Sequence, residues 1–238
     1  MTPPKRNAPA PRSDLGRPIV RIPPARRAAF ARLLIRWYAR HKRPLPWRRT
    51  RDPYRILVSE IMLQQTQVSR VLPKYREFIR AYPSLEALAH ASAREVRELW
   101  YPLGYNVRPL RLRAIARTVV QRYRGRLPAS REALLSLKGV GPYTAGAVLT
   151  FAFGQPAPIV DTNVRRVLRR VFFGGAPAPE ATLWRLSGAL LPANDGYDFN
   201  QAIMELGATV CTPRRPRCPA CPVRRLCRAA PLLEGRAG

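Results

Sequence analysis

Leu137-Lys138-Gly139-Val140-Gly141-Pro142-Tyr143-Thr144-Ala145 follows one apolar helical stretch and opens another. Two glycines a residue apart let the backbone turn tightly, because glycine enters the left-handed region without a steric penalty. Pro142 suits the first turn of the next helix, where a missing N–H costs nothing. The exposed N–H groups of such a helix start make an anion site, and Lys138 adds a point charge. The segment reads as a hairpin that grips a DNA phosphate without reading sequence, through Lys138, Gly139 and Gly141. An ordinary helix–turn–helix corner would look the same, and this stretch alone does not separate the two.

The chain around it is patterned for helices. Phe30, Leu33, Leu34, Trp37 and Tyr38 recur at helical spacing, and Asp52-Pro53 forms a cap and first-turn pair. Breaks are expected near Pro83, Ser92, Gly104, Gly125–Pro128, Gly139–Gly141, Pro156–Pro158, Gly174–Pro179 and Pro192–Gly196. Alternating strand patterns are scarce, so the expectation is an all-α protein of about ten helices. Residues 1–24 are rich in Pro and Arg and read as a disordered basic tail without the apolar region of a signal peptide. No apolar run approaches membrane-span length. The expected setting is reducing and cytoplasmic, associated with the nucleoid, which disfavours disulfides.

The 238 residues carry 43 Lys plus Arg against 14 Asp plus Glu, a net charge of +29. That excess favours a polyanionic partner, nucleic acid above all. Lysine occurs only at positions 5, 42, 74 and 138, so a GC-rich codon bias toward Arg is the plain alternative.

All cysteine lies in one short stretch, Cys211, Cys218, Cys221 and Cys227, with spacing C-x6-C-x2-C-x5-C. Four-cysteine zinc sites usually show two close pairs. Here there is one, and the two histidines, His41 and His90, are remote in sequence. Arg214, Arg215, Arg217, Arg224 and Arg225 run between the thiols, able to balance an anionic cluster and, at Arg214 and Arg215, to reach phosphate.

Two carboxylates stand in apolar company. Glu60 lies within Ile56–Leu63, where burial would raise its pKa and keep it a proton donor. Asp161 precedes Thr162-Asn163-Val164 at an N-cap position, where the helix start is expected to hold it ionised. Carboxylates pushed apart in pKa form an acid and stabiliser pair. A surface-facing Glu60 and a purely structural cap at Asp161 remain the plain readings.

Ser59-Glu60-Ile61-Met62-Leu63-Gln64-Gln65-Thr66-Gln67-Val68 resembles the S-E-x-M-L-Q-Q-T-Q-V stretch of the endonuclease III and MutY branch of helix–hairpin–helix DNA glycosylases. So do Val160–Val167, Leu103-Gly104-Tyr105, Phe199–Gly207, the hairpin and the cysteine spacing. The similarity runs from about Phe30 to Cys227. It implies a two-lobed all-α fold, with a six-helix barrel over 53–154, a cluster lobe over 155–238 and an active-site cleft between them. The segment 25–52 would pack on the cluster lobe. It also implies a [4Fe–4S] cluster on the four cysteines, serving as a structural staple.

The same resemblance implies a mechanism. A mispaired base is flipped from duplex DNA into a pocket. Glu60 protonates it, Asp161 stabilises the positive sugar, Asn163 orients water or sugar, and Tyr143 sits by the reacting carbon. Gln64, Gln65 and Thr66 probe the gap, and Tyr105 wedges between bases. Endonuclease III carries a lysine at the Tyr143 position, so tyrosine implies a monofunctional enzyme that leaves an abasic site for a downstream endonuclease. A monomer is expected.

Two features depart from the pattern. The chain ends eleven residues after Cys227, so a C-terminal domain for oxidised guanine is expected to be absent. The family's G-L-G-Y-Y reads Pro102-Leu103-Gly104-Tyr105-Asn106. Compact relatives act on thymine or uracil opposite guanine and share the Trp47–Tyr54 entry and the tyrosine at position 143. Gln64-Gln65 favours adenine. A non-catalytic DNA-binding protein and a redox sensor are the rival classes.

Overall fold

A computed structural model describes residues 22–105 and 107–234. Twelve α-helices and three short 3-10 turns make up the regular structure of these residues, and no strand occurs among them. Residues 1–21 of the expected tail lie outside the described residues. The boundary set at residue 24 is corrected: Pro23 is the N-cap and Pro24 the first residue of α1 (Pro24–His41). Proline's fixed φ is preorganised for a helix start. No described helix is long and apolar enough to cross a membrane.

Local chemistry sets the element ends. Asp52 caps α2 (Pro53–Met62), accepting from the Tyr54 N–H at 2.9 Å. Ser92 and Glu95 form a reciprocal capping box on α5 (Ala93–Trp100). Asp161 caps α9 (Thr162–Phe173), accepting from the Val164 N–H at 2.6 Å. Every expected break interrupts or ends a helix. One further break, which carries no Gly, Pro or capping Ser, lies outside the expected set: α2 stops at Met62 and α3 (Val68–Ala81) starts only at Val68.

The helices form two lobes, as the sequence led us to expect. In the first, α4 (Leu85–His90) and α5 pack on α6 (Val107–Tyr123), α2 packs on α3 and on α8 (Pro142–Phe151), and α7 (Arg131–Leu135) leads into the hairpin before α8. In the second, α9, α10 (Glu180–Leu190) and α11 (Gly196–Thr209) pack together and are closed by α1. Phe30 of α1 sets its ring edge against Phe172 of α9 at 5.2 Å and Phe199 of α11 at 6.2 Å. The short α12 (Ala230–Glu234) lies beside the cysteine segment.

Two devices join the lobes. Glu205 of α11 is fully buried and binds Arg43 at 2.6 Å and Arg48 at 2.7 Å, which pins the crossing loop between α1 and α2. Burial works to raise the Glu205 pKa, but the two guanidinium bonds win and hold it below the ordinary carboxylate value. The second device is an extended segment, residues 155–161, that runs from α8 to α9. Thr150, Ser187 and Asn200 tie its backbone to α8, α10 and α11. A Cβ on Gly146 of α8 would stand 2.6 Å from the Pro158 carbonyl oxygen, so the absent side chain lets the segment lie directly on α8.

Gly146→Ala forces this backbone contact to open. We expect a loss of about 1–3 kcal/mol in stability and a displaced Asp161, read by urea unfolding and by a structure of the variant. An unchanged unfolding midpoint contradicts the account.

Candidate active site

α2 is buried over its whole C-terminal half, so Glu60 has no route to water along its own helix. It is 4% exposed, which rules out the surface-facing reading. Its Oε2 accepts a 2.7 Å hydrogen bond from the Tyr143 hydroxyl. Tyr143 stands in the first turn of α8, where the hairpin delivers it, and Met204 Sδ of α11 lies 3.9 Å from its oxygen. Burial pushes the Glu60 carboxyl up to about 7, with the charge of Asp161 adding to the rise and the Tyr143 bond and the Arg48 charge opposing it. Burial likewise raises the Tyr143 phenol well above its ordinary value, with Glu60 and Asp161 reinforcing it.

Asp161 comes from the other lobe. Its Oδ1 caps α9, and its Oδ2 accepts from the Asn163 side-chain amide at 3.2 Å. Arg166 donates to Asn163 Oδ1 at 2.8 Å, to the Gly207 carbonyl at 2.6 Å and to the Cys211 carbonyl at 2.7 Å. A Cβ on Gly207 would lie 2.6 Å from Asn163 Cβ, so α11 approaches the start of α9 as closely as glycine permits. Two opposing effects act on the Asp161 carboxyl. The helix start does lower the Asp161 pKa, but burial outweighs it and the net shift is upward from 3.8. Asp161, Glu60 and Tyr143 are thus electrostatically coupled, two acids from two lobes around one phenol.

The other expected contacts lie at or near the surface, with Gln64 and Thr66 half-buried. Lys138, Gly139 and Gly141 are exposed at the hairpin, Gly139 at φ +103°. Gly141 caps α8 with no side-chain oxygen, leaving the helix start open to an anion. Gln64, Gln65 and Thr66 form the loop between α2 and α3, and Tyr105, 57% exposed, forms the turn before α6. Gln65 and Tyr105 both have positive φ, 54° and 51°. Arg214 and Arg215 are exposed beside the cysteines.

Cys211, Cys218, Cys221 and Cys227 line one cavity with Val167, Arg170, Leu206 and Val223. Yet among the described residues no three His, Cys, Asp or Glu side chains converge tightly enough to share a single metal ion. A zinc ion needs its sulfurs at about 2.3 Å from one point. The four thiols line this cavity together and act on one another electrostatically, so they could hold a multi-atom group between them. Burial raises the Cys221 thiol to about 12 and raises Cys227 as well, so binding such a group means displacing protons. Arg170 donates to Cys211 Sγ at 3.4 Å and to the Thr212 carbonyl at 2.7 Å.

Four arginines have structural roles that the sequence does not assign: Arg48, Arg108, Arg166 and Arg170. Each looks like surface charge in a chain this basic. The available signal was position: Arg166 lies three residues from Asn163 and Arg170 four further on, one face of α9. Arg108 had no such signal.

Residues 58–189 match the HhH-GPD superfamily of base excision DNA repair proteins. The human adenine DNA glycosylase is 49% identical over 221 residues, covering 87% of this chain and 40% of that protein. The chain therefore spans about two fifths of that relative's length. A thymine/uracil-DNA glycosylase of Pyrobaculum aerophilum is 38% identical over 202 residues, covering 82% of this chain and 88% of the relative. The structure of a thermostable thymine-DNA glycosylase superposes with TM-score 0.82 at 35% identity, covering 87% of this chain and 98% of that one.

The Glu60 shift has a consequence for stability that needs no substrate. A folded-state pKa of about 7 lies above the ordinary 4.5, so the native state holds the proton more tightly than the unfolded chain. The contribution is fully present below 4.5 and is lost as pH rises through 7. Glu60→Gln cannot ionise and escapes that loss. It should match wild type near pH 4.5 and exceed it at pH 8 by up to about 3 kcal/mol. Urea unfolding at both pH values reads the difference, and a pH-independent gap contradicts the shift.

Proposed function

The chain belongs to the HhH-GPD superfamily of base excision DNA repair proteins, and from that premise we propose that it is a monofunctional, mismatch-specific DNA glycosylase that removes adenine opposite guanine or oxidised guanine. The observation that carries this reading is the coupling of Glu60, Tyr143 and Asp161. A carboxyl that titrates near 7 is protonated in a useful fraction at neutral pH and can still give the proton up. In the proposed reaction Glu60 donates that proton to the departing base as the N-glycosidic bond breaks and its electron pair goes to the base nitrogen. Asp161 stabilises the positive sugar, or bonds to it transiently. Water then adds its oxygen to the sugar carbon and releases a proton, leaving an abasic site for a downstream endonuclease. Asn163 braces Asp161. Tyr143 has no amine, so no Schiff base forms and the strand is not nicked.

Duplex DNA with a mismatch is the proposed substrate, bound by a monomer. The exposed hairpin (Lys138, Gly139, Gly141) and Arg214 and Arg215 take phosphates, while Gln64, Gln65, Thr66 and Tyr105 enter the stack. We read a [4Fe–4S] cluster on Cys211, Cys218, Cys221 and Cys227, because the four thiols line one cavity and their spacing matches that of the endonuclease III and MutY branch. Bound there, it would cross-link the C-terminal segment as a staple.

A second reading has its own support. The thymine/uracil-DNA glycosylase relative matches this chain over nearly its whole length, as does the thymine-DNA glycosylase structure. Both readings use the same acid pair and differ in the base.

Incubation with labelled duplexes carrying A·G, A·oxidised G, T·G and U·G separates them. We expect cleavage of the adenine strand, and only after alkali. Cleavage of T·G or U·G alone replaces adenine with the second reading. Tight binding without cleavage of any duplex leaves a non-catalytic DNA-binding protein.

A further inference from the structure

Arg108 is the second residue of α6, and it is 4% exposed. A guanidinium that deep needs partners, and here none of its observed bonds goes to a carboxylate. One terminal nitrogen donates to the carbonyls of Ile61 at 3.2 Å, Met62 at 2.9 Å and Gln64. The other donates to Thr66 Oγ1 at 3.0 Å and to the carbonyls of Leu103 at 3.2 Å and Gly104 at 3.1 Å. The Ile61 and Met62 carbonyls belong to the last turn of α2, which lacks intrahelical donors and carries the negative end of the helix dipole. The Arg108 charge is therefore met by backbone dipoles from two separate segments.

Those two segments are the Gln64–Thr66 loop and the Leu103–Tyr105 turn. Each contains a non-glycine residue in the left-handed region, Gln65 and Tyr105. Such residues cost energy and persist only where their surroundings hold them. Arg108 is what they share: its planar fork bonds both, and its guanidinium lies over the Trp100 ring at 5.5 Å and over the Tyr105 ring at 5.2 Å. Its Nε is buried without a partner, a further cost tolerated at this point.

We propose that Arg108 is a positioning residue that locks the loop and the turn into one rigid two-pronged probe, so that it governs extrusion of the target base rather than cleavage of its bond. This rests on the glycosylase reading above. Opening a stacked duplex costs a few kcal/mol. A prong that yields when pushed cannot do that work, and two prongs at variable spacing cannot hold one gap. Lysine cannot replace the fork, since it offers a point charge and three donors without fixed geometry.

The test uses the full chain with wild type, Arg108→Lys and Arg108→Met. Single-turnover rates are measured on a mismatched duplex with paired neighbours and on one whose flanking pairs are also mismatched. A 2-aminopurine beside the target reports unstacking on binding. The expected result for Arg108→Lys is a 10- to 100-fold slower reaction on the paired-neighbour duplex, within about threefold of wild type where the flanks are already open. The 2-aminopurine rise seen with wild type should be lost. Equal losses on both duplexes, no loss on either, or an unchanged fluorescence rise overturns the proposal. If Arg108→Met does not fold, Arg108→Lys carries the test, and an unfolded Arg108→Lys assigns the residue to stability alone. A wild type that cleaves neither duplex counts against the glycosylase reading instead.

Discussion

The arrangement depends on one buried hydrogen bond, from the Tyr143 hydroxyl to Glu60 Oε2, with Asp161 close enough to be felt by both. A hydrogen bond to a charged carboxylate is worth about 1.5–3 kcal/mol. Leaving that charge in an apolar interior costs more, so burial wins and the Glu60 carboxyl settles near 7. The balance requires the two acids to sit on different lobes and the lobes to meet closely. Gly146 lets the 155–161 segment lie on α8, and Gly207 lets α11 reach the start of α9. Glu205, with Arg43 and Arg48, fixes the crossing loop that brings the Arg48 charge within range of Glu60.

Arginine plays two parts in this molecule. A net charge of +29 suggests a phosphate-binding surface, and exposed residues such as Arg214 and Arg215 fit that reading. Several others face inward and bind backbone carbonyls instead. Arg108 gathers two loops, Arg166 joins Asn163 to the Cys211 and Gly207 carbonyls, and Arg170 lies on the cysteine segment. The planar fork suits this task, because it can satisfy several carbonyls at fixed angles. Charge counting alone cannot tell these structural cations from the ones proposed to meet DNA.

That distinction marks how far the sequence could be read. Helix ends written in Gly, Pro and capping residues were legible, because those residues act locally: Asp52, Ser92, Asp161 and the hairpin glycines all stand where their chemistry demands. Glu60 was legible as a costly charge in an apolar run. The break at Leu63–Gln67 was not, because it holds no Gly or Pro and Arg108, more than forty residues away, takes up its carbonyls. The net direction of the Asp161 shift was also hidden. The capping N–H is local and visible, whereas the burial that outweighs it arises only in the packed fold. The start of α1 is hidden in the sequence because Pro23 and Pro24 look like tail composition yet act as a helix start.

The most direct test of this account is the Glu60 carboxyl itself, followed by carbon-13 NMR through a pH titration in the wild type and in Asp161→Asn. The account predicts a midpoint near 7 in the wild type, falling when the neighbouring negative charge is removed. A midpoint near the ordinary 4.5, or one that does not move in Asp161→Asn, would show that the two acids do not share a site.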